Sequence, residues 1–285
     1  VLTLPALKSI DPEDFKTLLR HLIATDHIQT VEGGTLIVGL AGERIVNNFR
    51  FYAVFKDDEE HSVYAGTEEI GSINVVPPAG YAMILAGRTW RILEVDTKHK
   101  SVYVEQIRGK ADTLWLGAGG DIHTRVLRKM REVLESNEIY PYLRNNAAER
   151  LERARRLARE SGLMRNFVIN AGGESLFILP WIGSKQFRTL TRALKKMLAE
   201  PLGLRKILPT EPYYLTTAGS PFAKDVQEAI ISLAQNPPDP YMLLEKDEAP
   251  YLGKYDEFIP PELLRKAFVT DGLDIPGMCE ELLKL

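Results

Sequence analysis

The sequence predicts an α+β fold: a small strand-rich, barrel-like half, then a mixed helix and strand half, with a winged-helix remnant at the N-terminus. Three observations predict it. Residues 43–107 hold six short apolar runs separated by Gly, Pro, Asp or Lys turns, the spacing of a small barrel or sandwich. After the Gly-Ala-Gly-Gly run at 117–120 the pattern changes to amphipathic helices and one hairpin. Residues 11–38 read as one helix and a short hairpin, the way a winged-helix unit ends. The expected divisions are therefore 1–40, 41–120 and 121–285.

The elements follow in order. Asp11 is placed to cap a helix that opens at Pro12, with Phe15, Leu18, Leu19, Leu22 and Ile23 as its apolar stripe. HIQTVEGGTLIVG gives two short strands joined at Glu32-Gly33-Gly34. The strand-rich stretch comprises FRFYAVF, HSVYAG, GSINVV, YAMILAG, TWRILEVD and SVYVEQI. In AGRTWRILEVD (86–96), alternation puts Trp90, Ile92 and Glu94 on one face and Thr89, Arg91, Leu93 and Val95 on the other. Neither face is cleanly apolar, which leaves two readings of Trp90 open. It is a core residue whose indole N–H needs one partner, or a platform for a nucleic-acid base with Arg88 and Arg91 for phosphates.

Helices are expected over about 122–136 and 146–161, followed by a hairpin that turns at Gly172 and Gly173. A helix capped by Ser184, an extended segment over 213–217 and a helix opened by Pro221 come next. NPPDP (236–240) reads as a rigid turn, and a last helix starts near Pro260 and Pro261.

Composition excludes several classes. The 285 residues are 45% hydrophobic and 26% charged, ordinary for a folded chain, and the net charge of -3 gives no global argument for a polyanion. One cysteine, Cys279, excludes an internal disulfide or a thiolate cluster within one chain and points to a reducing, cytoplasmic setting. No apolar run reaches the length of about 18 residues that a membrane span needs, so no membrane contact is expected. The opening VLTLPALKSIDPEDFK lacks a basic segment and a methionine, which reads as a piece of something longer rather than a secretory signal.

Charge is uneven along the chain. Arg125, Arg128, Lys129 and Arg131 share one predicted helix; Arg150, Arg153, Arg155, Arg156 and Arg159 crowd the next; Lys185, Arg188, Arg192, Lys195 and Lys196 lie on the third. Beyond Glu211 acids dominate. Pairs such as Glu149–Arg153 and Glu152–Arg156 could stitch the second helix at i,i+4 spacing; the third has almost nothing within itself to pair with. Its opening, WIGSKQF, sets Lys185 and Arg188 in the first turns, where cations oppose the helix dipole and call for an anion.

Catalytic patterns are missing. The glycine run at 117–120 lacks the lysine and Ser/Thr of a P-loop. His21, His27, His61, His99 and His123 have no metal-ligand spacing, and no acid cluster resembles a nuclease centre. No catalytic residue and no metal ligand is assigned.

Taken in order, several motifs resemble the C-terminal region of large helicase-related (Lhr-like) superfamily 2 helicases. LIVGLAGERIVNNFRFYAVF (36–55) resembles that family's junction after the winged helix, AGRTWRILEVD its Trp-Arg-Ile strand, and GKADTLWLGAG its following Gly-then-Trp segment. LFILPWIGSKQFRTLTRAL resembles its Pro-Trp-Leu-Gly element and YDEFIPPELLRKAF its late Pro-Glu-Leu-Leu helix. The resemblance implies an ATP-dependent motor moving 3′ to 5′ on single-stranded DNA and separating DNA or RNA:DNA duplexes.

Motor motifs are absent from this sequence, so ATP and Mg would act on RecA-like motor domains elsewhere, and the chain would be a non-catalytic accessory that contacts the strand and the motor. Trp90 and Trp115 would then meet bases, and Arg88, Arg91, Arg125, Arg128, Lys185, Arg188 and Arg192 would follow phosphates. A competing expectation is a scaffold that docks a protein partner through the acidic C-terminal part; a hydrolytic domain such as a nuclease is a third.

Overall fold

The structure, a computed structural model, describes residues 10–53, 60–74, 76–77, 79–96, 99–109, 120–219 and 222–285. The fold is α+β. Its residues divide into two compact units, Asp26–Gly120 and Asp121–Leu285 with Val1–Thr25.

Helix α1 (Pro12–Ala24) starts as its sequence dictates: Asp11 Oδ1 accepts the Glu13 N–H at 2.7 Å and Pro12 fills the first position. None of its residues is fully buried. Asp14 on this helix pairs with Lys266, which ties α1 to the C-terminal unit. The hairpin of β1 (Ile28–Thr30) and β2 (Leu36–Val38) belongs instead to the strand-rich unit. The helix and hairpin read as one winged-helix remnant thus fall on either side of the division at residue 25.

The FRFYAVF stretch, expected as a strand, forms helix in its described part. Here α2 (Leu40–Val46) and α3 (Phe49–Tyr52) follow each other, and the Asn48 side chain caps α3 by accepting the Arg50 N–H at 3.0 Å. Gly42 permits α2 to lie against β1: a Cβ there would stand 2.1 Å from the His27 carbonyl oxygen. Val54 and Phe55 lie outside the described residues.

The other five runs do form one curled sheet. Its strands are β3 (His61–Ala65), β4 (Glu68–Ile73), β5 (Ala82–Leu85), β6 (Arg88–Asp96) and β7 (Ser101–Gln106), in the order β4-β3-β7-β6-β5. Only β3 and β7 run parallel. Gly71 on β4 lies against the Leu85 side chain on β5, so the two edge strands curl toward each other across the core. A small core of Val63, Trp90, Ile92, Val102 and Val104 fills the concave side.

A bulge on β6 explains why alternation left the position of Trp90 open. Ile92 pairs with Val104, but Glu94 pairs with Tyr103, so Leu93 is an extra residue that switches the faces. Val95 thereby joins Trp90 and Ile92 against the core, while Leu93 and Glu94 are exposed. The β5–β6 turn passes through Ala86 and Gly87, both at positive φ as a tight hairpin requires. It brings the Leu85 carbonyl within 3.0 Å of the Trp90 Nε1–H.

The C-terminal unit is helical around a second sheet. In order come α4 (Thr124–Glu135), α5 (Asn145–Glu160), β8 (Val168–Gly172), β9 (Ser175–Ile178), α6 (Ser184–Ala193), β10 (Lys206–Thr210), β11 (Tyr214–Ala218), α7 (Ala223–Gln235), α8 (Pro261–Ala267) and α9 (Ile275–Leu282). The antiparallel sheet has the order β10-β11-β9-β8. The β8–β9 hairpin turns at Gly172 and Gly173. Pro221 lies outside the described residues just before α7.

A large apolar core joins the sheet to α6, α7 and α9 through Ile178, Leu215, Phe187, Leu190, Ile230 and Met278. Leu127, Ala158, Leu163 and Trp181 form a smaller one between α4 and α5. The loop joining those two helices is held by Arg155, only 1% exposed. Its guanidinium donates to the Val133 and Glu138 carbonyls, to Ser136 Oγ and to Glu152.

Trp90→Ala removes the largest side chain of the strand-rich core, so that unit should lose about 3–5 kcal/mol. Urea titration followed by near-UV circular dichroism checks this. Trp90→Phe should retain the fold with a smaller loss, since it keeps most of the packing and drops the bond to Leu85.

Candidate nucleic-acid interface

The cationic residues singled out on α4 and α6 are positioned by a junction of three helix N-termini. Gly183 caps α6, taking the place expected of Ser184, because the chain is too crowded there for a side chain. A Cβ at 183 would stand 2.7 Å from the Ile122 carbonyl oxygen and 2.8 Å from the Thr124 nitrogen. Ser184 instead reaches across: the Ile122 N–H donates to its Oγ at 3.0 Å, and its own N–H donates to the Ile122 carbonyl at 2.9 Å.

The Gly183 N–H donates to Thr124 Oγ1 at 2.9 Å and to Gln186 Oε1 at 3.1 Å. Gln186 Nε2 then donates to Asp274 Oδ2 at 3.0 Å, and Asp274 Oδ1 caps α9 by accepting the Gly277 N–H at 2.9 Å. Backbone N–H groups at the starts of α6 and α9 thereby meet acceptors that they would otherwise lack in the interior.

On this frame most of the expected phosphate ligands are already engaged. Arg128 donates three bonds to Glu281, two to the carboxylate at 3.1 and 3.3 Å and one to the backbone carbonyl at 2.6 Å. Arg188 grips Asp121 with two bonds of 2.9 Å and also pairs with Glu211. Arg192 holds Glu248 through bonds of 2.9 and 2.6 Å, with its guanidinium 4.7 Å from the Phe268 ring centre. Lys196 pairs with Glu245.

The third basic helix thus finds its counter-charges in the acidic C-terminal part and at Asp121 and Glu211, far away in sequence. It is also a core helix, with Phe187, Leu190 and Ala193 buried. A cleft of about 390 Å³ runs along it, lined by Arg188, Arg192, Lys195 and Lys196 and by the acids Glu211, Glu245 and Glu248. The arginines hold Asp121 and Glu248 below the usual carboxylate range; Arg128 adds to the lowering of Glu281, for which Lys284 is the larger cause.

The aromatic expectations fare differently. Trp90 is 5% exposed and bonded to Leu85, so no base can stack on it in this fold; this corrects the stacking expectation in favour of the core alternative. Trp115 lies outside the described residues. Arg91 is exposed and loosely paired with Glu105 at 3.4 Å. Arg88, Arg125 and Lys185 keep cationic groups that make no ion pair or side-chain hydrogen bond among the described residues.

Helix α5 carries further free cations, outside the set expected to follow phosphates. Glu152 pairs with the buried Arg155 and Arg156 with Glu160, in place of the expected Glu149–Arg153 and Glu152–Arg156. Arg150 and Arg153 are left exposed, three residues apart on the side away from buried Arg155 and Ala158, with no side-chain partner among the described residues. Their signal in the sequence is that spacing, visible once Ala158 and Arg155 mark the inward face.

Among the described residues no group of three His, Cys, Asp or Glu side chains is placed to hold a metal, and no helix is long and apolar enough to cross a membrane. No protein-family model, curated protein or solved structure matches the chain.

Two outcomes follow from the junction and its ion pairs. Gly183→Ala forces backbone apart at the meeting of α4 and α6 and should cost about 1–3 kcal/mol, read as a lowered thermal midpoint. Glu248 has a folded pKa below its unfolded value, so its stabilising effect is complete above the ordinary glutamate pKa of about 4.3 and is lost as the pH falls through the folded value. Thermal unfolding from about pH 7 down to about pH 3 should show a steep acid loss that Glu248→Gln makes shallower.

Proposed function

We propose that the chain is a non-catalytic accessory module of an ATP-dependent 3′-to-5′ helicase, acting in the cytoplasm and holding single-stranded nucleic acid by its phosphates rather than its bases. One observation carries the reading: Arg150 and Arg153 stand free on the outward side of α5, and Arg88 and Arg125 are likewise exposed without an ion pair among the described residues. Exposed cations without counter-charges gain by displacing the ions condensed on a strand. A buried Trp90 removes the stacking contribution and leaves the electrostatic one. The order of motifs resembling Lhr-like helicases supplies the motor context. ATP and Mg belong in that context to RecA-like domains, since this sequence has no P-loop.

A second reading, a scaffold for a protein partner, draws on the acidic C-terminal part, where Tyr251 and Leu252 are 60% and 50% exposed. A salt-insensitive complex with a motor fragment, without strand affinity, would select it.

Fluorescence anisotropy with a labelled single strand over a salt series tests the first reading. Affinity should fall linearly with salt on logarithmic axes, with a slope of about −0.7 for each phosphate neutralised. Arg150→Glu with Arg153→Glu should weaken binding about tenfold and flatten that slope by more than one. Trp90→Phe should leave it unchanged. Absence of binding at low salt would remove the proposal.

A further inference from the structure

Helix α4 carries two apolar stripes, and the smaller core uses only one. Leu127 is buried and Leu134 packs against the same cluster. Val126, Met130 and Val133, at i, i+4 and i+7, form the other. Val126 is 52% exposed and Met130 40%, and all three line an open groove of about 540 Å³ with Arg125, Lys129 and Leu134.

Charge on the helix runs against its own dipole. Arg125, Arg128 and Lys129 occupy its first half and Glu132 and Glu135 its last turn, with no acid in the first turn and no base in the last. Arg131 precedes the acids and pairs with Glu135, and Arg128 pairs with Glu281, which leaves Arg125, Lys129 and Glu132 on the outer side. Each placement is unfavourable for an isolated helix, whose N-terminus favours anions and whose C-terminus favours cations. A neighbouring helix of the same sequence running the opposite way reverses both signs.

We propose that α4 is a homodimer interface, on which a second copy of this chain lays its own α4 antiparallel about a two-fold axis beside Met130. The stripe is self-complementary in that arrangement: Val126 of each copy meets Val133 of the other, and Met130 meets Met130. The flanking row Arg125, Lys129 and Glu132, again at i, i+4 and i+7, follows the same symmetry. Lys129 faces Glu132 of the other copy, twice, and Arg125 reaches the other helix's carboxyl end beside Glu135. Lys129 and Glu132 bond within one helix at 2.6 Å and are more than 60% exposed, so both are free to turn toward a second copy.

The contact is small. Twelve residues span about 18 Å, short of what an interface of about 1,600 Å² requires, so the dimer is weak and concentration-dependent.

Sedimentation velocity of the full chain over a concentration series, up to about 100 times the lowest one, tests this directly. The wild type should move from monomer to dimer within the series. Met130→Glu should abolish the dimer, and Lys129→Glu should weaken it about tenfold by setting like charges opposite each other. Lys129→Glu combined with Glu132→Lys should restore it, and circular dichroism should show each variant folded. A wild type that stays monomeric overturns the proposal, as does a dimer indifferent to Met130→Glu or a charge swap that fails to recover association.

Discussion

Gly183 is where three helix starts must share one small space. The first turn of any helix leaves backbone N–H groups without partners, and inside a protein those donors are costly unless something accepts from them. Here the starts of α4, α6 and α9 satisfy one another: Ser184 and Ile122 exchange bonds, Gln186 reaches back to Gly183, and Asp274 serves both Gln186 and its own helix. A side chain at 183 would displace the chain near Thr124. The directions of α4 and α6, and with them the placement of Arg128, Arg188 and Arg192, follow from this junction.

The second constraint is electrostatic and follows from the first. Once α6 is packed between the sheet and α9, its flanking arginines face the acidic chain that follows, and pairing is better there than exposure. Bidentate grips such as Arg192 on Glu248 and Arg188 on Asp121 use the fixed fork of the guanidinium. The opposed basic and acidic blocks of the sequence are thus largely an internal seam. Among the described residues, the cations that the seam leaves exposed include Arg150 and Arg153 on α5, Arg88 and Arg125. The same subtraction isolates the outer stripe of α4, where Val126 and Met130 stay exposed among the described residues.

In the strand-rich unit one extra residue decides the chemistry. The bulge at Leu93 lets Trp90, Ile92 and Val95 share a face, and the tight turn at Ala86 and Gly87 supplies the carbonyl that the indole needs. With both requirements met indoors, Trp90 is a core residue, and Arg88 and Arg91 flank it at the surface.

Most of the element order is legible in the residues alone: the capped α1, five of the six strand-rich runs, the hairpin at Gly172 and Gly173, the α4 and α5 helices and the change of character near residue 120. Those features depend on caps, turns and hydrophobic periods acting over a few residues. The residues alone mislead at FRFYAVF, where a cap at Asn48 and close approach at Gly42 outweigh strand propensity, and they do not single out β10 or α9. Which arginines are spent depends on the fold, because their partners lie tens of residues away: Arg188 with Asp121, Arg192 with Glu248, Arg128 with Glu281. Only the fold placed Trp90, because the bulge at Leu93 hides the apolar face that Trp90 and Ile92 share with Val95, and the indole's partner is a carbonyl across a turn. Local rules write the elements; long-range pairing decides which side chains are left for anything else.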